Sequence, residues 1–171
     1  MAMLIFVTME VMFFAGLISA FAIIRSGAMV WPPPDQPRLP VERTALNTAA
    51  LLASGVLLML ARRRFNQSRA LASKPLFAAL ALGGAFVMFQ GVEWLALIRE
   101  GLTLTSSSLG SFFYLIIGMH ALHAVIALGV LVYAWVRLQR GWLASSQLAS
   151  AEVFWYFVVG VWPMIYLTVY L

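Results

Sequence analysis

With 171 residues, of which 63% are hydrophobic and 10% charged, and a mean hydropathy of +0.95, the chain lies outside the range of soluble globular domains and reads as an integral membrane protein. Its length leaves room for about four to six short-looped spans and none for a separate soluble domain. The absence of cysteine excludes disulfides and thiolate chemistry, and the net charge of +5 belongs to loops facing the cytoplasm rather than to a nucleic-acid surface.

The first hydrophobic segment covers about residues 3–24 and carries one charge, Glu10. No basic leader precedes it and no small-residue cleavage site follows, so a retained helix is expected rather than a signal peptide. From Arg25 to Arg43 the chain turns polar. Trp31-Pro32-Pro33-Pro34, Pro37 and Pro40 forbid a helix interior there and favour an extended crossing of the membrane surface, with Trp31 at headgroup level. A second span, about 44–61, stops at Arg62-Arg63-Arg64. Pro75 is expected to open the third, about 76–98, at a position where a missing amide proton costs nothing; the far end of that span carries Gln90 and Glu93. The fourth, about 108–136, is an almost unbroken apolar run holding His120 and His123, the only histidines in the protein. The fifth, about 147–171, begins with Glu152 and is expected to end in an aromatic belt of Trp155, Tyr156, Trp162, Tyr166 and Tyr170. The expected fold is therefore an all-α membrane protein, five transmembrane helices in one bundle, forming a single transmembrane domain over residues 1–171.

Five spans put the second-to-third and fourth-to-fifth loops on the side of the amino terminus. That side holds seven basic residues, Arg62, Arg63, Arg64, Arg69, Lys74, Arg137 and Arg140, against four, Arg25, Arg38, Arg43 and Arg99, on the other. The amino terminus is thus expected to be cytoplasmic and the carboxyl terminus outside. The triple arginine reads as an anionic-lipid contact and topology signal.

Ionisable groups at membrane depth are expensive and need a reason. Glu10 in the first span, His120 and His123 in the fourth and Glu152 in the fifth could aim polar groups at one region. Three residues apart on a helix are ~60° apart around its axis, so the two imidazoles share a face and could serve a common ligand or cavity. A metal or haem site would need more donors than two histidines and scattered glutamates, and an i, i+3 pair cannot clasp both faces of a haem. A proton or ion relay through Glu10 and the histidines finds no further buried ionisable group to link the two sides, and five spans do not divide into an inverted repeat. The plainest reading makes Glu10 and the histidines satisfied partners in helix packing or contacts of a lipid headgroup. Small residues such as Gly16, Ala20, Ser54, Gly55, Gly83, Gly84 and Gly118 favour close packing. Glu93 and Glu100 lie near the outer surface, where solvation explains them.

Several fragments, in order and spacing, resemble subunit III of the haem-copper oxidases. They are Glu10 in MEVMFFAG, Trp31-Pro32-Pro33, Leu46-Asn47-Thr48 leading to Leu51-Leu52-Ala53-Ser54-Gly55, Gln90-Gly91-Val92-Glu93, Gly118-Met119-His120-Ala121-Leu122-His123, and an aromatic last helix ending on Trp162. The resemblance implies a non-catalytic subunit without haem or copper of its own, packed on the large redox subunit I that carries both, alongside the other oxidase subunits. It also implies an aerobic respiratory chain in a bacterial cytoplasmic membrane, with membership of a respiratory supercomplex left open. It further implies that the residues matching Glu10 and His123 lie by a cleft holding phospholipid, and that the subunit stabilises subunit I, supports its proton uptake and protects it from inactivation during turnover. Trp31, His120, Glu93 and Glu152 join them as lipid-binding or structural polar positions.

The family's longer members have seven helices and this chain looks like the last five, so one wall of the cleft is missing or comes from another chain. Met9-Glu10 stands where the family has Ser-Glu, and Trp155-Tyr156-Phe157-Val158-Val159 where it has Trp-His-Phe-Val-Asp; Glu152 is offset by roughly one turn from the family's glutamate. Two alternatives stay open: a subunit III-like partner of a nitric oxide reductase, and an independent small proton or ion transporter.

Overall fold

A computed structural model describes residues 2–30 and 39–171. Trp31, Pro32, Pro33, Pro34 and Pro37 lie outside the described residues. Five long helices make up the fold: α1 (Ala2–Gly27), α2 (Val41–Gln67), α3 (Arg69–Arg99), α4 (Ser108–Gln139) and α5 (Ser145–Ile165), with a π-turn over Tyr166–Tyr170 closing α5. No strand occurs among the described residues. All five helices are long and apolar enough to cross a membrane. The first four overrun the apolar windows read from the sequence, because ends carrying charge, such as Arg62-Arg63-Arg64, continue the helix before it stops, whereas α5 gives way to the π-turn at Tyr166.

The helix ends follow local chemistry. At α3 the chain leaves through Gly101 at φ 95, with Gly101 N–H donating to the Ile98 carbonyl at 3.1 Å and Leu102 N–H to the Leu97 carbonyl at 2.9 Å. The end of α4 repeats the pattern at Gly141, φ 73, with bonds of 3.0 Å to Leu138 and 2.9 Å to Arg137. These are Schellman caps, in which a left-handed residue lets the chain turn back and satisfy its last carbonyls. Ser107 caps α4, its hydroxyl accepting from Gly110 N–H at 3.0 Å. Between α2 and α3 a single extended residue, Ser68 (φ −158, ψ 134), is the whole connection. Pro75 therefore does not open the third helix, as its position suggested, but lies inside it. Helix resumes directly after Ser68, and a proline near the start of a helix forfeits only one intrahelical bond, here to the Leu71 carbonyl.

α2 and α3 form the most extensively contacting pair, and α5 reaches α1, α2 and α4. The most hydrophobic stretch of α5 is 56% buried and that of α1 only 11%, so α5 is the axis of the bundle and α1 its rim. Trp155 and Trp162, expected in an interfacial belt, are instead core residues with 0% exposure. Trp155 Nε1–H donates to Ser54 Oγ at 2.8 Å and Trp162 Nε1–H to Thr48 Oγ1 at 2.8 Å. An indole offers a large apolar body and one donor, so it can bury itself in a helix interface wherever a hydroxyl waits opposite. Side chains of α5 pack directly on glycines of α2 and α3 at the same place. A Cβ on Gly83 would sit 2.5 Å from the Trp155 ring, and one on Gly55 would sit 3.2 Å from Val159 Cγ1.

Candidate functional site

The site begins with α1 laid against α4 and α5. Glu10, one turn before Phe14, reaches α4, and its Oε2 lies 3.1 Å from His123 Nε2. The other ring nitrogen of His123, Nδ1, lies 2.7 Å from the Met119 carbonyl. A carbonyl can only accept, so Nδ1 carries a proton and Nε2 faces the carboxyl group. A hydrogen bond across the 3.1 Å contact requires one further proton, carried either by Nε2 or by the Glu10 carboxyl group.

Aromatic rings wall the imidazole off. Phe14 lies 5.5 Å from the His123 ring, Phe157 5.8 Å and Phe154 6.4 Å, all edge-on. The His123 side chain is 8% exposed and that of Glu10 22%, so the carboxyl group is the more open side of the pair. Such a pair can bind or relay one proton, or accept a bond from a donor arriving beside α1.

His120 shares the helix face but not the ligand. Its ring lies tilted against Trp162 at 5.0 Å with an interplanar angle of 31°, and among the described residues neither of its nitrogens has a hydrogen-bond partner. The Phe14 ring touches both imidazoles, at 6.2 Å from His120.

The remaining predicted positions fall elsewhere. Glu152 Oε2 pairs with Arg62 NH1 at 3.7 Å, while Arg62 NH1 also donates to the Ser145 carbonyl at 3.0 Å. Arg63 and Arg64 are exposed, so the triple arginine divides between one tether and two outward charges. Glu93 is half-buried rather than simply solvated. Its Oε2 lies 3.0 Å from Thr44 Oγ1, which also lies 2.8 Å from the Pro40 carbonyl. One hydroxyl proton serves one of these acceptors at a time.

Beside Glu93, a polar cluster that sequence reasoning did not assemble joins three helices. Asn47 Nδ2 donates to the Phe86 carbonyl at 3.2 Å and toward Gln90 Oε1 at 3.4 Å, and Gln90 Nε2 donates to Tyr170 OH at 3.0 Å. Its signal was the recurrence of Thr44, Asn47, Thr48 and Ser54 along an otherwise apolar helix. Among the described residues no three His, Asp or Glu side chains group as metal ligands.

Comparison with known proteins fits this arrangement. A family model described as cytochrome c oxidase subunit III matches residues 1–171. A protein of Nocardia farcinica named "Probable cytochrome c oxidase subunit 3" is 30% identical over 171 residues, covering 98% of this chain and 84% of that protein. Cytochrome c oxidase subunit 3 of Dasypus novemcinctus is 32% identical over 178 residues, covering 98% of this chain and 67% of its own. That of Locusta migratoria is 35% identical over 181 residues, covering 98% and 66%. The chain thus spans about two thirds of the length of these two animal relatives. With a family match over its whole length and five helices fit to cross a bilayer, this integral membrane protein belongs to the cytochrome c oxidase subunit III family.

Proposed function

We propose that the chain is a non-catalytic accessory subunit of a haem-copper terminal oxidase in a bacterial cytoplasmic membrane, packed on the large redox subunit with its amino terminus in the cytoplasm. The observation that carries this reading is the family match over residues 1–171. The scarcity of metal donors, two histidines and no cysteine, supports the non-catalytic part. Exposed Leu4, Ile5, Met9 and Met12 along α1 give lipid or a neighbouring chain a broad apolar surface to cover.

In this reading the five helices act as one transmembrane domain, and Glu10 and His123 face a bound phospholipid. The pair then holds its proton beside the lipid headgroup while the subunit stabilises the large subunit and sustains its proton uptake. Extraction of the tagged chain in mild detergent tests the assignment. The large subunit, with its haem spectrum, is expected to copurify. A tagged chain extracted from its native membrane with which no large subunit copurifies, or that itself holds a tightly bound haem or turns over, would overturn it.

A further inference from the structure

A cavity of about 140 Å³ lies between α3, α4 and α5, bordered among others by Gln90, Trp94, His120, Ala124 and Trp162. His120 is only 1% exposed, yet among the described residues neither Nδ1 nor Nε2 has a partner, and Trp94 Nε1 is likewise buried and without one. A neutral imidazole carries one N–H and one lone pair. Leaving a buried donor or acceptor dry is costly, so groups of this kind are nearly always satisfied. The side chains at hand are already engaged. Gln90 bonds Asn47 and Tyr170, and the Glu10 carboxyl is taken by His123.

The unmet groups specify the occupant. His120 presents one donor and one acceptor and Trp94 a donor only, with no carboxylate on the cavity wall. A cation has nothing there to neutralise it, and a hydrocarbon tail would leave all three groups unmet. A small neutral molecule that both donates and accepts meets the need.

We infer that the cavity is a water site anchored on His120, in which ordered water joins the imidazole to the indole N–H of Trp94. The volume of about 140 Å³ far exceeds the ~10–15 Å³ that one water requires, and the site offers the two to four polar partners that hold buried water in place. The two ring nitrogens point apart, so one molecule cannot satisfy both. Phe14, edge-on to both rings, separates this water from the Glu10–His123 pair. The adjacent histidines thus have different chemical settings, one hydrated and one locked to a carboxyl.

Histidine labelling with nitrogen-15 tests the site directly, because the chain contains 2 histidines. The full chain is reconstituted in bilayers and proton magnetisation is transferred from water to the labelled rings in solid-state NMR, with His123→Gln assigning the signals. Both nitrogens of His120 are expected to receive magnetisation from water. Ala124→Leu, which fills the cavity, is expected to reduce that transfer several-fold and leave His123 unchanged. A dry His120 in the folded native chain would overturn the inference, as would transfer that persists undiminished in a folded Ala124→Leu. Where the variant does not fold, the native spectrum decides, together with a density map of the assembled complex that resolves ordered water. Density at His120 supports the site, and an empty cavity in such a map refutes it.

Discussion

Replacing Glu10 by glutamine exchanges a carboxyl oxygen for an amide at the 3.1 Å contact with His123 Nε2. The Nδ1–H of His123 stays on the Met119 carbonyl, 2.7 Å away, so Nε2 of the neutral ring can accept from the new amide N–H. One hydrogen bond survives; the shared proton does not. A bond to a charged group contributes ~1.5–3 kcal/mol and one between neutral groups ~0.5–1.5, so the glutamine is expected to cost about 1 kcal/mol. Glu10→Leu strands Nε2 among the rings of Phe14 and Phe157 and loses about 2 kcal/mol of pairing, although leucine gains by facing lipid. A double-mutant cycle with His123→Leu removes that lipid-transfer difference and leaves the coupling, expected at about 1–2 kcal/mol because the Glu10 side chain remains 22% exposed. Thermal unfolding of the chain in lipid nanodiscs reads the cycle. In the assembled oxidase the haem spectrum should be unchanged by Glu10→Gln, while lipid retention or sustained turnover falls. A coupling below about 0.3 kcal/mol, within ordinary additivity, would refute the pairing. Loss of haem would refute the non-catalytic assignment.

Other substitutions probe the core and the tether. Trp162→Phe removes the 2.8 Å bond to Thr48 Oγ1 along with part of the indole volume, and should lower stability by about 1–3 kcal/mol; in a cycle with Thr48→Val the bond itself should account for about 1 kcal/mol. Gly83→Val places its Cβ 2.5 Å from the Trp155 ring and should cost at least about 1–3 kcal/mol by overpacking, whereas Gly84→Ala, whose Cβ meets nothing within 4 Å, should be neutral or slightly stabilising by melting temperature. Arg62→Ala leaves Glu152 without the cation 3.7 Å away. Since that arginine is 28% exposed, the loss should be about 1 kcal/mol, well short of the ~3–5 seen for fully buried pairs, and partly restored by Glu152→Gln.

Uninterrupted apolar runs made the five helices legible, because hydrocarbon demands internally bonded backbone and a minimum length. Their ends were less so. Ser68 carries no strong stop signal, and Pro75 looked like a helix start because proline is tolerated in a first turn; only the tertiary pairing of α2 with α3 decides that the helix begins at Arg69. Glu10 and His123 stood out as ionisable groups at membrane depth, but their mutual distance depends on how α1 docks, which no residue count reveals. Trp155 and Trp162 show a deeper ambiguity. A tryptophan near a membrane protein's end suits the interface and the interior equally, and the hydroxyls that decide the matter, Ser54 and Thr48, are more than a hundred residues away in the chain.

The one-residue link at Ser68 bears on how the protein is made. Because α2 and α3 are tied so tightly, they are expected to enter the bilayer as one folded-back unit, in which Asn47 and Gln90 shield each other's amides from lipid. That unit also presents Ser54 and Thr48 in advance to the two indoles of the last helix. α1, which precedes that unit in the chain, then has to wait for α5 before it finds its main seat, so truncation before α5 should leave α1 undocked while the α2–α3 unit still forms, a difference that cysteine cross-linking of arrested chains can read.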